Sequence, residues 1–125
     1  MAHTLGLDFV ALQVRELERS ARFYTEQLGL PRAPHSPPNA VVFQAVPIPF
    51  AVRTPSPEVD LDAVDRLGWG VALWFQCDDA DALYHALATS GAAVLQSPQD
   101  GPFGRQFQVR DPDGYTLTIH GSAGQ

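Results

Sequence analysis

The strongest constraint on this chain is that its two halves carry the same pattern. Val10-Ala-Leu-Gln-Val14 alternates as a strand with one buried face does. It gives way to Leu17, Ala21, Tyr24 and Leu28 at helical spacing, with Gly29 just beyond. Leu73-Trp-Phe-Gln-Cys77 begins the same sequence of events 63 residues later, followed by Ala80, Leu83, Tyr84 and Leu87 and closed by Gly91. Each helix of about three turns thus ends at a glycine, the residue that best tolerates the left-handed conformation of a helix exit. Further strand-like pieces follow in both halves: Val41 to Ala45 and Phe50 to Arg53, then Gln106 to Arg110 and Tyr115 to His120.

The intervening segments read as loops. Pro31 to Pro38 holds four prolines, and Pro47, Pro49, Pro55 and Pro57 punctuate the next stretch, so neither is a continuous helix or a central strand. Asp111-Pro-Asp-Gly114 reads as a hairpin turn. Asp78 or Asp79 is placed to cap the second helix, while Glu16 is a poorer cap for the first. Module 1 therefore spans about 5–54, a linker about 55–69 and module 2 about 70–121, within one domain of 125 residues. In the linker, Leu61, Val64 and Leu67 have the spacing of a short helix over Val59 to Leu67.

Composition narrows the partners. A formal charge of −6, from 14 acidic and 8 basic residues, argues against a nucleic-acid surface, which needs clustered Lys and Arg. No apolar run approaches the roughly 20 residues of a membrane-spanning helix. No export signal is visible at the start, so a cytoplasmic protein is expected. The single cysteine, Cys77, excludes an internal disulfide and any multi-thiolate zinc site.

The repeated β-α-β-β-β unit resembles the vicinal oxygen chelate superfamily, which includes glyoxalase I, extradiol dioxygenases, fosfomycin-resistance proteins and bleomycin-resistance proteins. The resemblance rests on Phe9 to Tyr24, on Leu28-Gly-Leu30, and on Phe103 to Tyr115 with its Asp-Pro-Asp-Gly. It implies an α+β fold in which two βαβββ modules form a cup-shaped, eight-stranded mixed sheet with helices outside. Alternation then assigns the faces. Val10, Leu12, Val14, Leu73, Phe75, Cys77, Leu117 and Ile119 face the helices. Phe9, Ala11, Gln13, Ala72, Trp74, Gln76, Thr116, Thr118 and His120 face the cup.

Enzymes of the superfamily hold a divalent ion with His, Glu or Gln on cup-facing strand positions. Here three such positions fall on Phe9, Ala72 and Thr118, two without a donor and one a neutral hydroxyl. No metal and no cofactor is expected. The alternative is an atypical site around His120 with partners such as Gln13, Gln76 or Gln108, serving a metal-dependent lyase, isomerase or dioxygenase. No phosphate loop, nucleophile elbow or Cys-His pairing is present, so no catalytic residue is assigned. Cys77, expected under a helix, reads as a structural thiol.

What remains on the cup side is aromatic and neutral-polar: Phe9, Gln13, Trp74, Gln76, Gln106, Gln108, Thr118 and His120, with Trp69, Phe103 and Arg110 at its edge. Such a wall suits a planar organic molecule, because aromatic faces supply stacking area and amides fix orientation. The competing reading has Phe9 and Trp74 filling the core or a dimer interface.

The bleomycin-resistance branch shares the aromatic-Gly-Arg-x-Phe-x-x-Arg-Asp-Pro-x-Gly segment, here Phe103 to Gly114, and a Leu-Tyr pair, here Leu83-Tyr84. Tyr115 departs from the Asn more usual after the turn glycine. That branch implies a homodimer that sequesters an antibiotic without chemistry. The expected ligand is a small aromatic molecule, bleomycin-like or otherwise, and the negative charge favours a cationic one.

Overall fold

The computed structural model describes residues 2–121. They form two compact units, one ending at Leu61 and the other beginning at Asp62. The first unit contains β1 (Val10–Gln13), α1 (Leu17–Arg22), β2 (Ala40–Phe43) and β3 (Phe50–Arg53). Its sheet order is β1-β3-β2, with β1 parallel and β2 antiparallel to β3. The second contains β4 (Leu73–Gln76), α2 (Ala80–Thr89), β5 (Ala93–Gly101), β6 (Gly104–Arg110) and β7 (Thr116–His120), in the order β4-β7-β6-β5. Again the first strand runs parallel to the last, across a helix, as β4 does to β7. The duplication in the sequence is therefore a duplication of topology.

The α+β class and the βαβββ plan are present, but the described residues hold seven strands where eight were expected. In the first unit the missing strand is reduced to one bridge, Arg32 to Phe43, flanked by Ala33 N–H to Val42 O and Gln44 N–H to Pro31 O, both 2.8 Å. Pro31 and Pro34 have no N–H to extend it. Arg32 is instead fixed through its guanidinium, which donates to both carboxylate oxygens of Glu18 at 2.8 and 3.3 Å. That pairing holds the Glu18 carboxyl below its usual range, chiefly through the hydrogen bond.

Helix α1 continues into a π-helical turn, Phe23–Gln27, where the Leu28 N–H reaches the Phe23 carbonyl at 3.1 Å. The wider turn reduces the angle between successive side chains, so two consecutive aromatics point inward together. Phe23 and Tyr24 are both buried, with ring centroids 5.2 Å apart. Tyr24 also meets Phe43 at 5.7 Å and Phe50 at 4.9 Å. Together with Val14, Ala21 and Val52 these residues make the first core. Glu16 makes no side-chain cap, as its chemistry suggested.

In the second unit the Asp79 carboxylate caps α2 by accepting from the Ala82 N–H at 3.0 Å. Leu87, Phe107, Val109, Leu117 and Ile119 fill the core on the helix side. Tyr84 lies edge-on to Phe107 at 5.6 Å. The β6–β7 turn is organised by one carboxylate: Asp111 Oδ1 accepts from the N–H groups of Asp113, Gly114 and Tyr115 at 2.9, 3.0 and 3.0 Å. Gly114 supplies the positive φ, 103°, that closes the bend.

Two local expectations change. The stretch Val59 to Leu67 holds only a single 3-10 turn, Leu61–Ala63, with Leu61 and Leu67 buried and Val64 exposed. Strand β5, nine residues long, was not anticipated. Pro98 interrupts its sequence pattern, and register shifts between Val94 and Gln96 and between Gln96 and Gln99 break its alternation. Both irregularities are tolerated because β5 is an edge strand.

Candidate ligand-binding face

Register places side chains of the second sheet in rows, since residues directly opposite one another share a face. One row runs Trp74, Thr118, Gln108, Gln96; the next runs Gln76, His120, Gln106, Gln99. The opposite face carries Phe107, Val109, Leu117 and Ile119, all buried. This face is thus the one turned away from the core, and its side chains are amides, a hydroxyl, an imidazole and an indole. None of the eight carries a carboxylate or an ammonium group.

Three rings converge on it. Trp74 is edge-on to Phe103 at 5.7 Å and to His120 at 6.0 Å, and Phe103 lies 5.9 Å from His120. Strand β4 holds Trp74, β7 holds His120, and the tight connection between β5 and β6 holds Phe103. Their packing is incomplete: Trp74 is 44% exposed and Phe103 55%. The His120 ring is oriented by Nδ1, which lies 2.8 Å from the Gly121 carbonyl oxygen.

The polar members differ in how far they are committed. Gln108 Nε2 donates to Thr118 Oγ1 at 3.3 Å, and Thr118 is buried. Gln106 Oε1 is buried without a hydrogen-bond partner among the described residues. Its side chain lies over Gly101, where a Cβ would collide with the amide. The glycine therefore leaves the room that Gln106 occupies.

Of the residues anticipated from sequence, Trp74, Gln76, Phe103, Gln106, Gln108, Thr118 and His120 are brought together on this face. Arg110 shares it, opposite Thr116 and Ala93 at the end of the sheet, and is exposed. Trp69 is 73% exposed and contacts Arg66, whose guanidinium carbon sits 4.8 Å above the indole, outside the three-ring cluster. In the first unit, Phe9 precedes β1 and is 43% exposed, and Gln13 Oε1 accepts from the Ser56 N–H at 2.7 Å. Sequence reasoning missed Gln96, Gln99 and Gly101. The recurrence of glutamine along 96–108 was the available signal, hidden by the failure to recognise β5.

Cys77 is half-buried beside the start of α2. Burial pushes its thiol up from the usual value, the Asp78 and Asp79 charges push the same way, and a backbone hydrogen bond at Asp79 offsets part of this. The neutral thiol is a weak nucleophile.

The donor set does not fit a divalent metal. Phe9 and Ala72 offer no ligand atom, and the Thr118 hydroxyl already accepts from Gln108. One imidazole among neutral amides lacks the anionic oxygen that such ions favour. No group of three or more His, Cys, Asp or Glu side chains able to hold a metal occurs among the described residues. Nor is any helix among them long and apolar enough to cross a membrane.

Comparison with known proteins gives a family match over residues 6–119 to the Glyoxalase/Bleomycin resistance protein/Dioxygenase superfamily. No curated protein sequence matches. Among solved structures, a glyoxylase/bleomycin resistance protein/dioxygenase domain from Frankia sp. EAN1pec is 26% identical with a TM-score of 0.72, covering 96% of this chain and 99% of that one. TnmS3, an antibiotic binding protein from Streptomyces sp. CB03234, is 23% identical with a TM-score of 0.75, covering 98% and 99%. A glyoxalase-related enzyme from Fulvimarina pelagi is 23% identical with a TM-score of 0.74, covering 95% and 89%. The same fold thus serves a protein described as an enzyme and another described as a binder.

Proposed function

We propose that this chain, which belongs to the Glyoxalase/Bleomycin resistance protein/Dioxygenase superfamily, binds and sequesters a small planar aromatic molecule, an antibiotic or related toxic metabolite, without transforming it. The observation that carries this reading is the half-exposed ring cluster Trp74, Phe103 and His120 on a face of neutral amides. Exposed aromatic rings beside orienting polar groups are what a planar ligand needs: dispersion over its faces and fixed hydrogen bonds at its edge. A stacking ring is worth about 1–3 kcal/mol by analogy with base stacking on aromatic side chains. Binding rather than chemistry is supported by the side chains themselves. The face presents no activated nucleophile, no carboxylate pair and no metal-fitting donor set.

The likeness to TnmS3 supports the ligand class, and the family resemblance supports a homodimer as the working form. With a formal charge of −6, the chain also favours cationic aromatics. Affinity for cationic proflavine should then fall with added salt, while that for neutral 2-aminoanthracene stays level; equal salt dependence removes the cationic preference. The decisive test is Trp74→Ala in calorimetric titrations with 2-aminoanthracene. Loss of about tenfold or more in affinity is expected, the equivalent of roughly 1.4 kcal/mol. Wild-type affinity in the variant overturns the stacking face, and recovery of a chemically altered probe overturns sequestration.

A further inference from the structure

The His120 imidazole has a fixed chemical polarity. Its Nδ1 lies 2.8 Å from the Gly121 carbonyl oxygen, an atom with lone pairs only, so Nδ1 carries the proton and donates. A neutral imidazole has a single N–H. In that form Nε2 is a bare acceptor, and it has no hydrogen-bond partner among the described residues. The ring lies against Trp74 and Phe103, with centroids 6.0 and 5.9 Å away, so the acceptor belongs to a member of the aromatic cluster.

The strand beside it adds a second acceptor without a partner. Gln106, directly opposite His120, buries an Oε1 that no described group satisfies, in the room left by Gly101. The donors in this row are the amide N–H groups of Gln76, Gln99 and Gln106, and none of them is hydrogen-bonded to the imidazole or to Gln106 Oε1 among the described residues. Displacing water from such a place with a ligand that brings no donor leaves the imidazole nitrogen unpaired. Sites built around a hydrogen bond reject analogues lacking its partner for that reason.

We propose, resting on the aromatic-binding reading above, that His120 Nε2 selects ligands carrying an amino or hydroxyl group on the edge of the ring, by accepting its hydrogen bond. His120 is thus a specificity residue, and the ligand class narrows to aminated or hydroxylated planar aromatics.

A matched pair of probes separates this inference from the reading it rests on. 2-Aminoanthracene and 2-(dimethylamino)anthracene share a ring system and are both neutral near pH 7.5, but only the first has N–H donors. The wild type should bind the amino compound about tenfold more tightly, the equivalent of one hydrogen bond. His120→Phe should lose the preference and bind the two compounds alike, with wild-type circular dichroism and thermal unfolding reporting that the variant folds. Equal binding of both probes by the wild type, or a preference that persists in His120→Phe, overturns the role of His120 while leaving the stacking face intact. Failure of both probes to bind the wild type overturns the stacking face itself. Long-range proton–nitrogen NMR of the wild-type imidazole needs no variant: Nδ1 protonated and Nε2 bare is expected, and the opposite tautomer overturns the inference.

Discussion

Replacing Asp111 with alanine tests how the β6–β7 hairpin, and with it the rows of the candidate face, is held in register. One carboxylate oxygen accepts from three backbone N–H groups. The Gly114 N–H has a second acceptor in the Asp111 carbonyl, at 3.0 Å, so alanine deprives chiefly the N–H groups of Asp113 and Tyr115. Both of those residues are buried, which limits rescue by water. A hydrogen bond to a charged group contributes about 1.5–3 kcal/mol, so losing two costs about 3–6 kcal/mol, with 3 kcal/mol as a working value. Urea unfolding followed by circular dichroism measures it: with a slope of about 1.5 kcal/mol per molar, the midpoint should fall by about 2 M. Asp111→Asn, which keeps one acceptor oxygen, should lose less than half as much. A midpoint shift below about 0.5 M for alanine with an unchanged slope would refute the reasoning, because the three N–H groups would then have another way to be satisfied.

Other expectations concern isolated side chains. Ser20 is buried in α1 and its Oγ has no hydrogen-bond partner among the described residues, so Ser20→Ala should stabilise by about 1 kcal/mol, through removal of an unpaired hydroxyl and better helix propensity. A loss of stability of that size would mean the hydroxyl is bonded after all. The raised thiol of Cys77 implies slow alkylation at pH 8 compared with an exposed cysteine, because less of it is thiolate. Its rate should keep climbing with pH beyond the range where an ordinary thiol levels off. A rate matching free cysteine at pH 8 contradicts the assignment.

Much of the fold is legible in the sequence because each half obeys one period at a time. Val10, Leu12 and Val14 alternate cleanly with polar or small residues, and the structure buries Leu12 and Val14 while leaving Ala11 exposed. The same logic places Trp74 and Gln76 on the face opposite Leu73 and Phe75. It fails at β5, where bulges shift the alternation and Pro98 looks like a loop residue until the strand is known to lie at an edge. The π-helical turn was equally hidden. Phe23 and Tyr24 fit a normal helix by spacing, and only the packing of Tyr24 against Phe23, Phe43 and Phe50 shows that both turn inward. On the candidate face of the second sheet, strand parity was enough to put Trp74, Gln76, Thr118 and His120 on one side. The bond from His120 to Gly121, and the space at Gly101 for Gln106, depend on three-dimensional placement that no pattern encodes.

The central claim is that Trp74 belongs to a stacking surface, and the chain's two tryptophans allow it to be observed alone. Trp69→Phe removes an exposed indole that lies outside the ring cluster, leaving Trp74 as the sole source of tryptophan emission. Titrating this variant with 2-aminoanthracene should quench that emission saturably, with one equivalent per chain, as the ring settles against the indole. Emission that stays constant, or that falls only in proportion to added probe without saturating, would contradict the account.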